Sequence, residues 1–469
     1  MEHHHKKGEW NSSFGFLMAA VGSAVGLGNL WAFPYKMGKN GGFAFLLIYL
    51  ILVATVGIVI CLTELSLGRK TGKGVVAAYE SISKKYSFVG WFAWISPMLI
   101  MGFYCMLGGY CLKYAVANLG DLFGASWGVN GADSSEYFSS FFTDQVQTSI
   151  FTLIIVALTV VIVMGGVAKG IERFSTIAMP ALFVMMVIII IRSVTMDGAS
   201  EGLSFVFKPN FEVFRGTGWI SVLASAGGQM FFSLSLGMGI TVTYGSYMKK
   251  TESLQRNAFL IPIADTIVAV MAACAIMPAV FASGLNPGQG PSLLFVTLQT
   301  VFQAMGSIGP FFGFLLYFLV FIAAITSSIA LLEAASAVIM DKQIEKGKQH
   351  NRKMVCLLIG LFVAAEGVFV SLDGLGANGF PQILGQGCWL DTFDLISEGV
   401  LMPLGALITA LIFGWFKTGK EFTDDEIALD QGGFRIRRYY HFCLRWIVPV
   451  ILLLVLLGQI STFFGLDWF

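Results

Sequence analysis

From Thr266 to Leu332 the chain carries no Asp, Glu, Lys or Arg. A bilayer crossing takes roughly 20 apolar residues, so this stretch is too long for one. Its centre, Gly284-Leu285-Asn286-Pro287-Gly288-Gln289-Gly290-Pro291, divides it. The apolar residues just after that centre read as a short helical lid dipping back toward the membrane. Of 469 residues, 56% are hydrophobic and 12% charged, with mean hydropathy +0.77. A soluble domain carries roughly 25% charge. The chain therefore reads as an all-α polytopic membrane protein, and a net charge of +1 gives no reason to propose nucleic acid.

Eleven spans are expected, at 13–37, 43–68, 88–118, 147–165, 173–195, 219–246, 255–283, 309–340, 353–371, 394–416 and 442–464. Two are broken by near-matching glycine-rich tracts. Gly22-Ser23-Ala24-Val25-Gly26-Leu27-Gly28-Asn29 interrupts the first, and Ser233-Leu234-Ser235-Leu236-Gly237-Met238-Gly239 the sixth. Irregular backbone at membrane depth survives only where it lines a cavity or is buried in protein. Breaks in corresponding positions of two halves point to a secondary transporter with its site near the midplane. Such breaks present carbonyls to a cation and amides to an anion. The first five spans (13–195) and the next five (219–416) read as two repeats. Five is odd, so the repeats must be inverted, with an eleventh helix (442–464) appended. The whole of 1–469 is one integral membrane domain.

Positive charge sets the orientation. With the N-terminus in the cytoplasm, only Lys36, Lys39, Lys113, Arg192, Lys208 and Arg215 of the 29 Lys and Arg fall away from the inside segments. The C-terminus is then extracellular, in a multi-pass plasma (inner) membrane protein. No cleavable signal peptide is expected, because the first apolar stretch is too long and too interrupted. The seven cysteines show no C-x-x-C pattern and read as packing residues. His3, His4 and His5 read as a tag remnant.

Polar groups at membrane depth are functional candidates by default. They are Asn29 after the first break, Ser233 and Ser235 in the second, Asp265 in the seventh span and Thr326-Ser327-Ser328 in the eighth. Their oxygens, with carbonyls freed at the breaks, form a plausible Na⁺ set. Against this, membrane Ser and Thr often bond back to their own helix or join helices. Glu64 is expected to tie down broken-helix backbone. Glu333 and Glu366 are assigned no role. In span five, Gly170 and Pro180 weaken the helix, which predicts either a proline kink or a local opening that hydrates an ion from the cytoplasm.

These residues resemble the neurotransmitter:sodium symporter family, whose bacterial members use the leucine-transporter fold. The resemblance runs from about Lys7 to the end. Its motifs are Gly-Ser-Ala-Val-Gly-Leu-Gly-Asn-Leu-Trp-Ala-Phe-Pro-Tyr at 22–35, Asn-Gly-Gly at 40–42, Lys-Gly-Ile-Glu-Arg-Phe at 169–174, Gly-Gln-Met-Phe-Phe-Ser-Leu-Ser-Leu-Gly-Met-Gly at 228–239 and Thr-Ser-Ser at 326–328. It is nearest to bacterial hydrophobic-amino-acid symporters.

The resemblance implies two Na⁺ sites. One uses the Ala24 carbonyl, the Asn29 amide, Ser233, Asp265 and the substrate carboxylate. The other uses carbonyls of Gly22, Val25 and Ala323 with the hydroxyls of Thr326 and Ser327. The substrate carboxylate meets the amides near Leu27 and Gly28 and the Tyr104 hydroxyl. Its ammonium meets carbonyls of Ala24, Phe232 and Ser233 and the Ser235 hydroxyl. Gly26 stands where monoamine-carrying relatives have aspartate, which favours an amino acid over an amine. Ile100, Tyr104, Phe232, Met238, Ser327 and Leu331 line the side-chain pocket. Met238, flexible where relatives often carry an aromatic, predicts tolerance of several large apolar side chains. Lys7, Trp10, Ser246, Tyr247 and Asp341 resemble the cytoplasmic gate.

Three departures matter. Ala32 replaces the outer-gate arginine although Asp394, its partner's position, is kept, so occlusion is expected to rest on Tyr104 and Phe232. Asp265 stands where many relatives have asparagine, beside positions (Tyr49, Gln229, Ser233) that hold chloride in eukaryotic relatives, which predicts chloride-independent transport. The usual twelfth span is missing, so no oligomer built through it is expected, and the oligomeric state stays open, with a monomer as one option. A channel is disfavoured because nothing resembles a pore loop or charged ring. A receptor is disfavoured by the absence of a signalling domain, and an enzyme by the absence of H-E-x-x-H and G-x-S-x-G.

Overall fold

A chain in lipid must satisfy its own backbone hydrogen bonds, and this one does so with helices throughout. The computed structural model describes residues 8–215, 218–288, 292–348 and 351–466. Among them nine helices are long and apolar enough to cross a membrane. There are ten if the bent pair α1 (Ser13–Ala24) and α2 (Gly28–Lys39), which meet at 47°, is one span. The others of membrane length are α3 (Phe43–Thr71), α4 (Lys84–Leu122), α5 (Gln145–Met164), α6 (Val167–Val194), α9 (Leu254–Ala282), α11 (Gly306–Glu345), α12 (Arg352–Asp373), α13 (Trp389–Trp415) and α15 (Arg437–Ser461). Between α6 and α9 lie α7 (Gly218–Ser233) and α8 (Ile240–Ser246), separated by non-helical residues. A short apolar helix, α10 (Leu293–Ala304), follows the Gly/Pro-rich divider, whose residues 289–291 lie outside the described set. A polar helix, α14 (Lys417–Ile427), links α13 to α15.

Sequence patterning explains the ends. Ser12 accepts from the Gly15 amide at 2.9 Å and starts α1, and Asn351 accepts from the Met354 amide at 3.1 Å and starts α12. Several helices run beyond their apolar cores: the expected span 88–118 is helical from Lys84 to Leu122, and 309–340 from Gly306 to Glu345. Hydrophobicity marks where lipid begins and ends, whereas the helix continues while its backbone pairs.

The two longest helices, α4 and α11, pack along each other more extensively than any other pair. With α5 and α12 they make a frame. The broken pairs α1–α2 and α7–α8 lie beside it, against α3 and α9. Within the frame, Gly108 meets the Ala324 side chain and Gly109 the α5 backbone, so small residues bring the helices close.

Candidate functional site

The first break begins when α1 ends at Ala24. Val25 is extended (φ −73°, ψ 104°), and the chain re-enters helix at Gly28 through a π-helical turn, Gly28–Ala32. Asn29 closes the break on itself by accepting the Gly26 amide on Oδ1 at 3.1 Å. The second break, residues 234–239, puts Ser235 (φ 54°), Gly237 (φ 75°) and Gly239 (φ 73°) in left-handed conformations. Glycine adopts these freely, and Ser235 does so at a conformational cost. Glu64 accepts the Gly237 amide on Oε1 at 2.9 Å, the backbone tie expected of it.

Asp265 joins the breaks. It accepts from Asn29 Nδ2 at 2.8 Å, Ser233 Oγ at 2.9 Å and Tyr49 Oη at 3.1 Å. All four residues are fully buried. Gln229 donates to the Gly28 carbonyl at 2.7 Å. Of the three positions that the resemblance linked to chloride, Tyr49 and Ser233 bond directly to this carboxylate, and Gln229 bonds to the first break.

A second polar meeting joins the first break to α11. Ser327 Oγ donates to the carbonyls of Ser23 and Val25 at 3.3 and 3.4 Å. Thr326 donates to Ala323 within its own helix at 2.9 Å, and a Cβ on Gly22 would touch Thr326. Gly22, Val25, Ala323, Thr326 and Ser327 thus converge from two elements. Two groups expected to receive a substrate carboxylate, the Leu27 amide and the Tyr104 hydroxyl, are bonded to each other at 3.0 Å. Ser235 donates to the Ser23 carbonyl at 3.0 Å.

Between these groups lies a contracted pocket of about 20 Å³, lined by Ala24, Gly26, Gly28, Ile100, Tyr104, Phe232, Ser235, Met238, Ser327 and Leu331, together with Ser23 and Ile240. Neither of these two was expected to line the pocket, although Ser23 lies in the first glycine-rich tract. Leu27 and Ser233 bound the site without lining this pocket. A Cβ on Gly26 would overlap the hydroxyls of Tyr104 and Ser327, so glycine there permits the close approach. Tyr104 and Phe232 lie with ring centroids 6.2 Å apart. Phe232 also borders a larger vestibule of about 510 Å³, lined among others by Ala32, Tyr35, Lys36, Asp391, Asp394 and Glu398.

The two ends differ. On one side Trp10 is buried and donates to the Tyr244 carbonyl at 3.2 Å, its ring edge-on to Phe16, Tyr244 and Tyr247. Tyr247 donates to Glu333 at 2.6 Å, and Glu333 pairs with Arg352. Ser246 bonds to Thr243 in its own helix. Asp341 accepts the Gly74 amide at 2.6 Å. Lys7 lies outside the described residues. Glu333, left without a role in the sequence, thus proves to be the anchor of Tyr247. On the vestibule side an ion pair joins Lys36 Nζ to Glu398 Oε1 at 3.0 Å, one helical turn beyond Ala32 and Asp394 in each chain segment. Neither partner was singled out in the sequence.

Residues 7–130 and 138–468 match the model of the sodium:neurotransmitter symporter family. "Uncharacterized sodium-dependent transporter YhdH" of Bacillus subtilis (strain 168) is 35% identical over 459 residues, 97% of this chain and 98% of that protein. An uncharacterized sodium-dependent transporter of Haemophilus influenzae is 30% identical over 461 residues, covering 96% and 98%. The crystal structure of MhsT in complex with L-phenylalanine superposes with a TM-score of 0.86 and 35% identity, covering 96% of this chain and 99% of that one.

Proposed function

Because the chain belongs to the sodium:neurotransmitter symporter family, we propose that it is a Na⁺-coupled symporter importing hydrophobic and aromatic L-amino acids by alternating access. The observation that carries this is the convergence of Asn29, Ser233 and Asp265 at two helix breaks beside an apolar pocket. The likeness to a phenylalanine-bound structure supports the substrate class.

In this reading the first ion takes the Ala24 carbonyl, Asn29, Ser233, Asp265 and the substrate carboxylate. The second takes the carbonyls of Gly22, Val25 and Ala323 and the hydroxyls of Thr326 and Ser327. Each ion replaces a hydrogen-bonded arrangement: Ser233 gives up Asp265 as acceptor, and Ser327 turns its lone pairs, instead of its proton, toward the break. The substrate carboxylate enters between the Leu27 amide and the Tyr104 hydroxyl, which both become its donors. Ala24, Phe232, Ser233 and Ser235 offer oxygens to the ammonium. The walls at Ile100, Met238 and Leu331 must separate to admit a side chain, and Met238 has the torsional freedom to do so.

The buried Asp265 carboxylate supplies a fixed negative charge, which supports transport without chloride. Counting α7–α8 as one interrupted span gives eleven spans and a 5+5 inverted repeat with α15 appended. The excess of Lys and Arg on one side supports a cytoplasmic N-terminus and an extracellular C-terminus in the inner membrane. The Trp10 side is then the sealed cytoplasmic side and the vestibule opens outward.

The test is uptake of radiolabelled leucine, tryptophan and phenylalanine into proteoliposomes under an inward Na⁺ gradient, with K⁺ as the control. Concentrative uptake only with Na⁺, lost in Asp265→Ala, is expected. Equilibration without Na⁺ indicates a facilitator and overturns the reading.

A further inference from the structure

We propose that Arg445, stacked on Trp415 and Trp446, is the headgroup site of an anionic phospholipid that binds across the junction of α13 and α15; this goes beyond the transport reading and does not depend on the substrate. The Arg445 guanidinium lies 4.7 Å from the Trp415 ring centroid and 5.3 Å from that of Trp446. The two rings meet edge-on, with centroids 5.2 Å apart. Trp415 closes α13, and Trp446 lies in a π-helical turn of α15, Cys443–Ile447. The Trp415 indole donates to the Arg445 carbonyl at 3.0 Å. A Cβ on Gly414 would come within 3.0 Å of the Leu444 carbonyl, so glycine lets the two helices touch here.

The guanidinium is held in place, yet its charge is unmatched. It offers five N–H donors, and among the described residues no carboxylate pairs with it. Each acid of the neighbouring α14 is engaged elsewhere: Glu421 with Lys417, Asp424 with Arg437 and His441, Asp425 with Lys70, and Glu426 with Arg69 and Lys250. Arg438 is exposed and likewise has no carboxylate partner among the described residues. It lies in the first turn of α15, where a cation opposes the helix dipole. An anion between the two arginines relieves that opposition. Their backbone positions are about 10 Å apart along the axis, and two long side chains can converge on one group between them.

The surroundings of the arginines select the anion. Trp415 and Trp446 are 49% and 53% exposed, and the exposed face continues through Leu411 on α13 and Val450 and Leu453 on α15. Aromatic rings of this kind sit at headgroup level, and the apolar residues beyond them meet acyl chains. On the orientation proposed above, the junction is at the cytoplasmic surface, where basic groups between helices bind anionic headgroups. A lipid phosphate offers the guanidinium fork the oxygens it is shaped to hold, and its chains then lie along Leu411, Val450 and Leu453. A free phosphate would meet the charge and leave that face unused. Because the indoles already hold Arg445, binding orders little that is not ordered beforehand. Neither arginine nor either tryptophan lines the inner pocket or the vestibule.

The test uses the full chain purified in neutral detergent and mixed with equimolar dioleoylphosphatidylglycerol and dioleoylphosphatidylcholine. Lipids that stay bound are counted by native mass spectrometry, and Tm is read with each lipid alone. The parent is expected to retain phosphatidylglycerol in preference and to melt higher in it than in phosphatidylcholine. Arg445→Gln should cut that preference about fivefold, the worth of one cation near a charged headgroup, and Arg438→Gln should act in the same direction. Trp446→Leu should lower it with every charge intact. Lys346→Gln, at an exposed cation just past α11, should leave it unchanged. Parent-like preference in Arg445→Gln overturns the site. An equal loss in Lys346→Gln overturns it too, because the attraction is then diffuse. If inorganic phosphate alone raises Tm as far as the lipid does, the lipid assignment falls. Should Arg445→Gln fail to fold, Arg438→Gln and Trp446→Leu carry the test. Neither readout involves Na⁺ or substrate, so failure of the transport reading leaves this result standing.

Discussion

Asp265 concentrates the chemistry of this chain in one side chain. Three donors, from Asn29, Ser233 and Tyr49, converge on its carboxylate in a fully buried setting. Removing the charge while keeping the shape isolates its electrostatic role. Asp265→Asn leaves an amide whose nitrogen must face at least one of those donors, and it withdraws the negative charge from the proposed ion site. Half-saturation by Na⁺ is expected to rise about tenfold or more in gluconate medium, the scale of a lost charge-assisted contact. Chloride should recover part of it in the variant and change nothing in the parent. Uptake by the parent that vanishes in gluconate would refute chloride independence. At this scale much was legible. Asn29, Ser233 and Asp265 stand out because a polar residue in lipid demands a reason, and Glu64 was readable as a backbone tie for the same reason. The pairs Lys36–Glu398 and Tyr247–Glu333 were not. Their members come from segments separated by 362 and 86 residues, and no local spacing links them. Ser23 and Ile240 line the pocket because of how the breaks fold, which residue type alone does not reveal.

At the scale of elements, the start of α6 shows what a pattern reading captures and what it misplaces. Gly170 and Pro180 predicted weakness somewhere in 170–180. The irregular backbone overlaps the start of that segment: the π-helical turn Val167–Glu172, which follows Gly166 (φ 86°), contains Gly170, and the helix from Arg173 runs on through Pro180. A proline removes one hydrogen bond, whereas a π-turn shifts the register of a whole turn. That turn is fastened to the start of α1: Glu172 accepts the amides of Asn11 and Ser12 at 2.8 and 3.2 Å and the Ser12 hydroxyl at 2.9 Å. A carboxylate at a helix amino end also favours the dipole there. Glu172→Gln should therefore loosen both elements together. Deuterium uptake is expected to rise in 8–16 and in 167–172, leaving 181–194 unchanged. Faster exchange confined to one of the two segments would show that they are not coupled. The two breaks themselves were legible to within a few residues, because clustered glycines weaken a helix near where they stand: the tracts 22–29 and 233–239 contain the observed breaks at 25–27 and 234–239. The helix ends were not, since polar residues continue a helix past the lipid.

Across the whole molecule, the two proposed ion sites and the substrate pocket share the same broken segment. In the proposed sites residues 22–29 would offer carbonyls to both ions and amides to the substrate, and Ser327 bonds to the same segment from α11. A ligand held by a shared element cannot be bound independently of its neighbours. If the substrate carboxylate completes the first ion's shell, Na⁺ strengthens substrate binding by some factor, and linkage requires the substrate to strengthen Na⁺ binding by the same factor. A coupling of 1–3 kcal/mol, about 5- to 150-fold, is typical. In the proposed sites the ions and the substrate share the work of separating Tyr104 from Leu27 and Ser235 from Ser23, which couples their binding. Calorimetric titration of phenylalanine at zero and saturating Na⁺, and of Na⁺ at zero and saturating phenylalanine, gives the two factors independently. They are expected to agree and to exceed about tenfold, and both should collapse toward unity in Asp265→Ala. Equal phenylalanine affinity with and without Na⁺ would mean that the ions act on the gates alone, and the shared first site would have to be abandoned.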